Sequence, residues 1–309
     1  MPALLKSLER FCVDRPVVKH HVKRLRYLGI RLLCWPSGPG RDRSPKILGY
    51  HTVGEGDDDL SLSTAAFQRH IAWLQRHGYR IVTLRQYWSM TQTHRTAPDR
   101  CVVLTFDDGF RQTLRCAAPV LTAKGLAATV FLTTDFIGGT NTYDRPLGVR
   151  ELSLLSWGEV RELKRLGWDI QSHGRRHYPL VGLARDVLNE ELAGSKAIIE
   201  ERVGDRVDFF CYPYGAFDAH VPQALAEAGY LGAVTCWPGT LGHPAEIDAY
   251  RLPRLLVDGV MAPADFAAYF SPGYRWLNTF MAWSRQRRGT HLASPFNELD
   301  KLAPRELAT

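Results

Sequence analysis

The 309-residue sequence has no CxxC pair, no internal repeat, no low-complexity tract and no apolar run near the ~20 residues needed to span a bilayer. The missing apolar run excludes a transmembrane helix. The six cysteines (Cys12, Cys34, Cys101, Cys116, Cys211 and Cys236) lie far apart, which excludes a local cysteine metal or redox motif and leans towards a reducing compartment. Arg26 and Arg31 interrupt the apolar segment 25–35 and no small-residue cleavage site follows, so no export signal is legible. Acidic residues are scarce at one end only. Residues 1–45 hold ten Lys/Arg against three Asp/Glu, a net of +7, while the rest holds 29 of each and is neutral. The basic character therefore belongs to an N-terminal arm, which speaks against a nucleic-acid-binding core.

What is present describes a globular chain: 45% hydrophobic and 23% charged residues, long enough for one barrel-sized domain with terminal extensions. Residues 19–35 mix basic residues with Val22, Leu25, Leu28, Leu32 and Trp35 at roughly helical spacing, and Pro36-Ser37-Gly38-Pro39-Gly40 breaks the pattern. Beyond this linker, strand-like and helix-like segments alternate. Strands are predicted at 46–51, 80–84, 101–106, 128–133, 168–172, 208–212, 232–237 and 251–257, with helices at 64–77, 110–124, 157–166, 185–203 and 222–228. Eight strands alternating with helices predict an α/β fold, a single distorted or incomplete parallel (β/α) barrel. The expected organisation is a basic arm and linker over 1–45, the barrel over 46–270 and an extension over 271–309.

Val102-Val103-Leu104-Thr105-Phe106-Asp107-Asp108-Gly109 carries the most information. An apolar strand ends in two adjacent carboxylates, and two like charges at the end of a buried strand are costly. A turn whose acids cap a following helix would account for Asp-Asp-Gly alone. Two further elements stand downstream: Ser172-His173-Gly174-Arg175-Arg176-His177 and Tyr212-Pro213-Tyr214-Gly215. His51, Asp107, Asp108, His173, Tyr214, Trp237 and Arg254 all fall at or near the C-terminal ends of predicted strands, the end that carries the active site in such barrels. Two imidazoles and a carboxylate can hold one ion and leave a position open, and His173 and His177 with one of the two adjacent aspartates, Asp107 or Asp108, make such a set. Zinc suits these donors best, with cobalt, nickel and iron also compatible.

Taken together, the three elements resemble the polysaccharide deacetylase family, the NodB-homology domain or carbohydrate esterase family four, over about residues 47–270. The resemblance implies a metal-dependent hydrolase that removes N-acetyl groups from amino sugars, with Asp107 as general base, Asp108 as metal ligand and the main-chain N–H of Tyr214 as oxyanion donor. Hydrolysis of an O-acetyl ester or a non-sugar amide is the alternative activity, and a non-catalytic glycan-binding protein the rival from another class. The chain departs from the family pattern at three places: Gly174 stands where Ser or Thr usually follows the first histidine, Cys211 where an arginine usually begins the third motif, and Leu255-Leu256-Val257-Asp258 has no histidine. His51 in Tyr50-His51 resembles the early catalytic histidine of a branch acting on extracellular poly-N-acetylglucosamine, and Arg254 could replace the missing arginine and pair with Asp107. Residues 271–290 carry four arginines, no acids, and Tyr274, Trp276, Leu277, Phe280, Met281 and Trp283. With the arm, this predicts a cytoplasmic enzyme resting peripherally on an anionic membrane and acting on a polysaccharide or lipid-linked glycan.

Overall fold

The computed structural model describes residues 16–54, 56, 60–94, 98–242 and 247–287. Eight parallel strands form the central sheet: β1 (Lys46–Tyr50), β2 (Arg80–Val82), β3 (Cys101–Phe106), β4 (Thr129–Leu132), β5 (Asp169–Ser172), β6 (Phe209–Cys211), β7 (Gly232–Val234) and β8 (Leu255–Leu256). They run in the order β8-β1-β3-β4-β5-β6-β7. Strand β2 shares an edge of β3 with β4: Arg80–Val82 pair with Cys101–Val103, and Thr129 and Val130 pair with Thr105 and Phe106. The sheet curls until its ends meet at a single bridge between Val234 and Leu252, just before β8. This is the incomplete (β/α) barrel expected from the alternation of elements.

Strand periodicity sorts the core into two layers. Ile47, Val103, Phe131, Phe209, Cys211, Val234 and Leu252 form one buried cluster, and the alternate residues Leu48, Val102, Leu104, Phe106, Val130, Ile170 and Phe210 belong to another. The first set points into the barrel and the second lies under the surrounding helices. Those are α1 (Pro16–Cys34), α2 (Thr64–Arg76), α3 (Leu84–His94), α4 (Ala118–Thr122), α5 (Trp157–Arg165), α6 (Arg185–Asn189), α7 (Ser195–Val203), α8 (Val221–Glu227), α9 (Pro263–Ala268) and α10 (Pro272–Arg287). Several have legible starts. Ser156 and Glu159 form a capping box on α5, and the Ser63 side chain accepts from the N–H of Ala66 at the start of α2.

Helix α3 is absent from the sequence reading because its apolar residues make no clear stripe. It is nucleated by Thr83 and Gln86, each side chain accepting the other's backbone N–H at 3.2 and 3.0 Å. It plugs the base of the barrel: the N–H of Leu84 donates to Thr129 Oγ1 at 2.8 Å, and Trp88 meets Phe209 edge-on at 5.6 Å. The terminal helices are also part of the folded body. Tyr27 of α1 is buried and its hydroxyl donates to Asp258 at 3.0 Å, while the N–H of Gly273 in α10 donates to Ser37 Oγ at 2.8 Å. Of the predicted tail, residues 288–309 lie outside the described residues, as do residues 1–15 of the arm.

Candidate active site

The inward-facing register of the strands runs on past their ends and delivers the polar residues. Gly49 leads to His51, Thr105 to Asp107 and Gln171 to His173, each two residues further along the same face. Cys211 and Arg254 enter from the neighbouring strands. Asp107, Asp108, His173, His177, Tyr214 and Arg254 border one site, with His51 at the neighbouring strand end. Arg254 is fully buried and grips Asp107 with two parallel hydrogen bonds, Nη1 to Oδ1 at 2.7 Å and Nη2 to Oδ2 at 2.8 Å. Burial alone would push the Asp107 carboxyl up, but the guanidinium overcomes it and holds the group well below the usual carboxylate range. Arg254 also donates to Thr235 O at 2.9 Å, Thr105 Oγ1 at 3.2 Å and Cys211 Sγ at 3.1 Å, so its fork is saturated. His51 is half-buried and follows Tyr50, which pairs with Phe106, so it leaves the sheet beside Asp107.

Backbone strain collects here. Among the described residues only Arg100, Asp108, His177 and Tyr214 are non-glycine residues with positive φ, and three of the four belong to this site. Each such residue costs on the order of 1–3 kcal/mol, so the surrounding fold must over-determine it. Asp108 (φ 68°) and Gly109 (φ 78°) reverse the chain after β3. The Asp107 N–H is tied to Tyr50 O at 2.9 Å, and a side chain at Gly109 would press on Leu132 at 2.8 Å.

His173 Nδ1 lies 2.7 Å from the Cys211 carbonyl, which can only accept, so Nδ1 carries the proton and Nε2 is bare. That nitrogen stands 3.2 Å from His177 Nε2 and 3.5 Å from Asp108 Oδ1, and His177 Nε2 is 3.3 Å from the same oxygen. Metal–nitrogen and metal–oxygen bonds of about 2.1 Å arranged tetrahedrally put neighbouring ligand atoms about 3.4 Å apart. The triangle therefore fits a small divalent cation. Asp108 Oδ1 is buried with no hydrogen-bond partner, and burial holds both imidazoles neutral, pushed down to about 4. Asp107, His173 and Cys211 also converge, but Arg254 already occupies Asp107, and burial pushes the Cys211 thiol far up, keeping it protonated. The set of Asp108, His173 and His177 is the better cation site.

The loop between the two histidines is irregular rather than helical, and its support explains one departure from the family pattern. The buried Glu191 accepts the N–H groups of Arg175 and Arg176 at 2.8 and 3.0 Å, and Ser172 Oγ accepts that of Gly174 at 3.2 Å. Gly174 has φ +84°, and a Cβ there would lie 2.9 Å from Glu191 Oε2. Glycine is required because the acid occupies the space of a side chain. Glu191 reaches this position from a π-helical turn, Glu190–Gly194, between α6 and α7.

Tyr214 sits in a 3₁₀ turn with φ 56°, its ring 4.4 Å from that of His177, which also meets the rings of Tyr143 at 4.3 Å and His173 at 4.8 Å. The Tyr214 hydroxyl donates to Asp144 Oδ1 at 3.0 Å. Asp144 is buried, and burial raises its pKa, opposed by His177. Asp144, Tyr143 and Glu191 were not anticipated from the sequence. For Tyr143 and Asp144 the one available signal was the unassigned stretch after β4, a long loop at the site end of the barrel.

Comparison with known proteins follows the same line. Residues 94–233 match the family described as polysaccharide deacetylase; His51 and Arg254 lie outside that match. A Bacillus subtilis protein provisionally named a polysaccharide deacetylase is 28% identical over 223 residues, 72% of this chain and 75% of its own. The poly-β-1,6-N-acetyl-D-glucosamine N-deacetylase of Staphylococcus epidermidis is 27% identical over 238 residues, 69% of this chain and 79% of its own. The structure of a Streptococcus pyogenes deacetylase in complex with acetate shares the fold, with a TM-score of 0.64 at 21% identity, over 75% of this chain and 100% of that one.

Proposed function

We propose that this chain, whose residues 94–233 match the polysaccharide deacetylase family, is a metal-dependent hydrolase that removes N-acetyl groups from amino sugars of a polysaccharide or lipid-linked glycan, releasing acetate and a free amine. The observation that carries this reading is the triangle of Asp108 Oδ1, His173 Nε2 and His177 Nε2, with edges of 3.2–3.5 Å, beside the Arg254-clamped Asp107. A divalent ion held there, zinc by donor type with cobalt, nickel or iron also compatible, would polarise the acetyl carbonyl and acidify a water.

The protein's own groups supply the rest. Asp107, aimed by Arg254, takes the proton of the attacking water as its oxygen bonds to the acetyl carbon. The main-chain N–H of Tyr214 serves the oxygen on which negative charge develops, and the bond from the Tyr214 hydroxyl to Asp144 holds that residue in its strained conformation. As the C–N bond breaks, His51 gives its proton to the leaving amine. The amide preference rests on the N-deacetylase named among the relatives. The test is acetate release from N-acetylglucosamine oligomers and from O-acetylated xylan, alongside metal analysis of the purified protein. Release from the amide substrate, lost on chelation and restored by Zn²⁺, supports the reading. Turnover of the ester alone sinks the N-acetyl assignment, and turnover indifferent to metal sinks the metal assignment.

A further inference from the structure

Helix α1 is apolar on two opposite sides, and only one of them serves the fold. Tyr27 and Cys34 are buried against the barrel, with Lys23 beside Asp258 at 3.4 Å. On the other side, Leu25, Leu28 and Leu32 recur at i, i+3 and i+7 and are 67, 38 and 66% exposed. Leu33 and Trp35 extend this surface at 72 and 51%. Core packing does not explain five large exposed apolar side chains in eleven residues.

The exposed charges around them are basic, and the acids that meet two of them, Asp265 at 3.8 Å from Arg31 and Asp42 at 3.6 Å from Arg275, are buried. Helical spacing puts Arg24 and Arg31 on one flank of the leucine stripe and Arg26 on the other, and the sequence has no acid from Arg15 to Arg41. Helix α10 packs beside α1 and adds Trp276, 69% exposed, stacked on Phe280 at 5.8 Å, with Arg275 exposed beside them. No acid occurs from Ser271 to Thr290. A leucine and aromatic surface bordered by arginines matches the boundary between acyl chains and anionic headgroups. No described helix is long and apolar enough to cross a membrane, so such contact is peripheral.

We infer that α1 and α10 form a docking surface for an anionic lipid bilayer. The Tyr27–Asp258 hydrogen bond ties α1 to the second residue beyond β8, at the barrel end carrying Asp107 and Asp108. On the deacetylase reading, this brings the site level with a lipid-linked or surface-tethered glycan; the lipid contact itself does not depend on that reading.

The test is co-sedimentation of the full chain with phosphatidylcholine vesicles and with mixed phosphatidylcholine–phosphatidylglycerol vesicles, at low and high salt. Binding to the anionic vesicles that weakens in high salt is expected. Leu25→Glu with Leu32→Glu, and separately Trp276→Ser with Phe280→Ser, should each lower vesicle affinity by roughly tenfold or more. Circular dichroism, metal content and acetate release from a soluble oligomer should stay unchanged in both variants. No binding to anionic vesicles at low salt overturns the inference, as does binding that both double variants retain. A patch that instead holds two copies together, seen as a dimer dispersed by the variants without any vesicle binding, overturns it too.

Discussion

Replacing Arg254 with methionine should disturb this protein more than any other single change of similar size. The guanidinium is wholly buried and donates to Asp107, Thr235, Thr105 and Cys211. Methionine keeps much of the length but strands the Asp107 carboxylate, which is buried as well. Removing one partner of a buried pair costs about 3–5 kcal/mol. At roughly 2–4 °C per kcal/mol for a domain somewhat smaller than this one, Tm should fall by on the order of 10 °C. Protonation of Asp107 limits the loss, because burial favours its neutral form once the cation is gone. The acid limb of the pH–rate profile should therefore move to higher pH as stability falls. Asp107→Asn added to Arg254→Met removes the stranded charge, so the double variant should recover on the order of 1–3 kcal/mol relative to the sum of the singles. Urea unfolding and pH profiles of acetate release measure both effects. An Arg254→Met protein as stable as the parent, or strict additivity in the double variant, would refute the reasoning.

Three further outcomes are expected. Asp108→Ala and His177→Ala should lose bound metal and activity together, whereas Asp107→Asn should keep the metal and lose roughly 10²–10⁴ in rate; full metal occupancy in Asp108→Ala would remove it from the ligand set. His51→Gln should retain metal and slow amide cleavage strongly while sparing an ester with a good leaving group, whose alkoxide needs less protonation, so equal losses on both substrates would count against an acid role. His70, stacked on Phe266 at 3.8 Å, is held neutral by burial with its pKa pushed down to about 3, against about 6.5 unfolded. Its depressed folded value means that its contribution is complete above pH 6.5 and is lost as pH falls towards 3, at up to about 1.4 kcal/mol per pH unit. The stability gap between the parent and His70→Gln should therefore narrow between pH 7 and pH 5, and a gap unchanged by pH in urea titrations would contradict the assignment.

The order of elements was legible because local rules write it. Each of the eight strands lies within its predicted span, since buried parallel strands read as apolar runs bounded by turn residues. His51, Asp107 and His173 were legible for a related reason: strand periodicity continues past the last paired residue, so position in the run tells which side chain faces the barrel. The C-terminal strand ends then gather these residues whatever the details of packing. Helix α3 escaped because it is held by a capping box and by what it plugs, not by a stripe of its own. The partnerships were decided in three dimensions. Arg254 meets Asp107 across 147 positions, a pairing the sequence suggested only through the family resemblance, and Tyr214 meets Asp144 across 70; over such distances no periodicity carries information. Glu191 supports the histidine loop only because a π-helical turn re-aims it, and Gly174 is needed only because Glu191 is there. Which side of α1 is covered likewise depends on α9 and α10 packing against it. Residue type and spacing set what each segment can become. Sheet order and curvature select which of the chain's many charges come within hydrogen-bonding distance, because that choice is made between segments far apart in sequence.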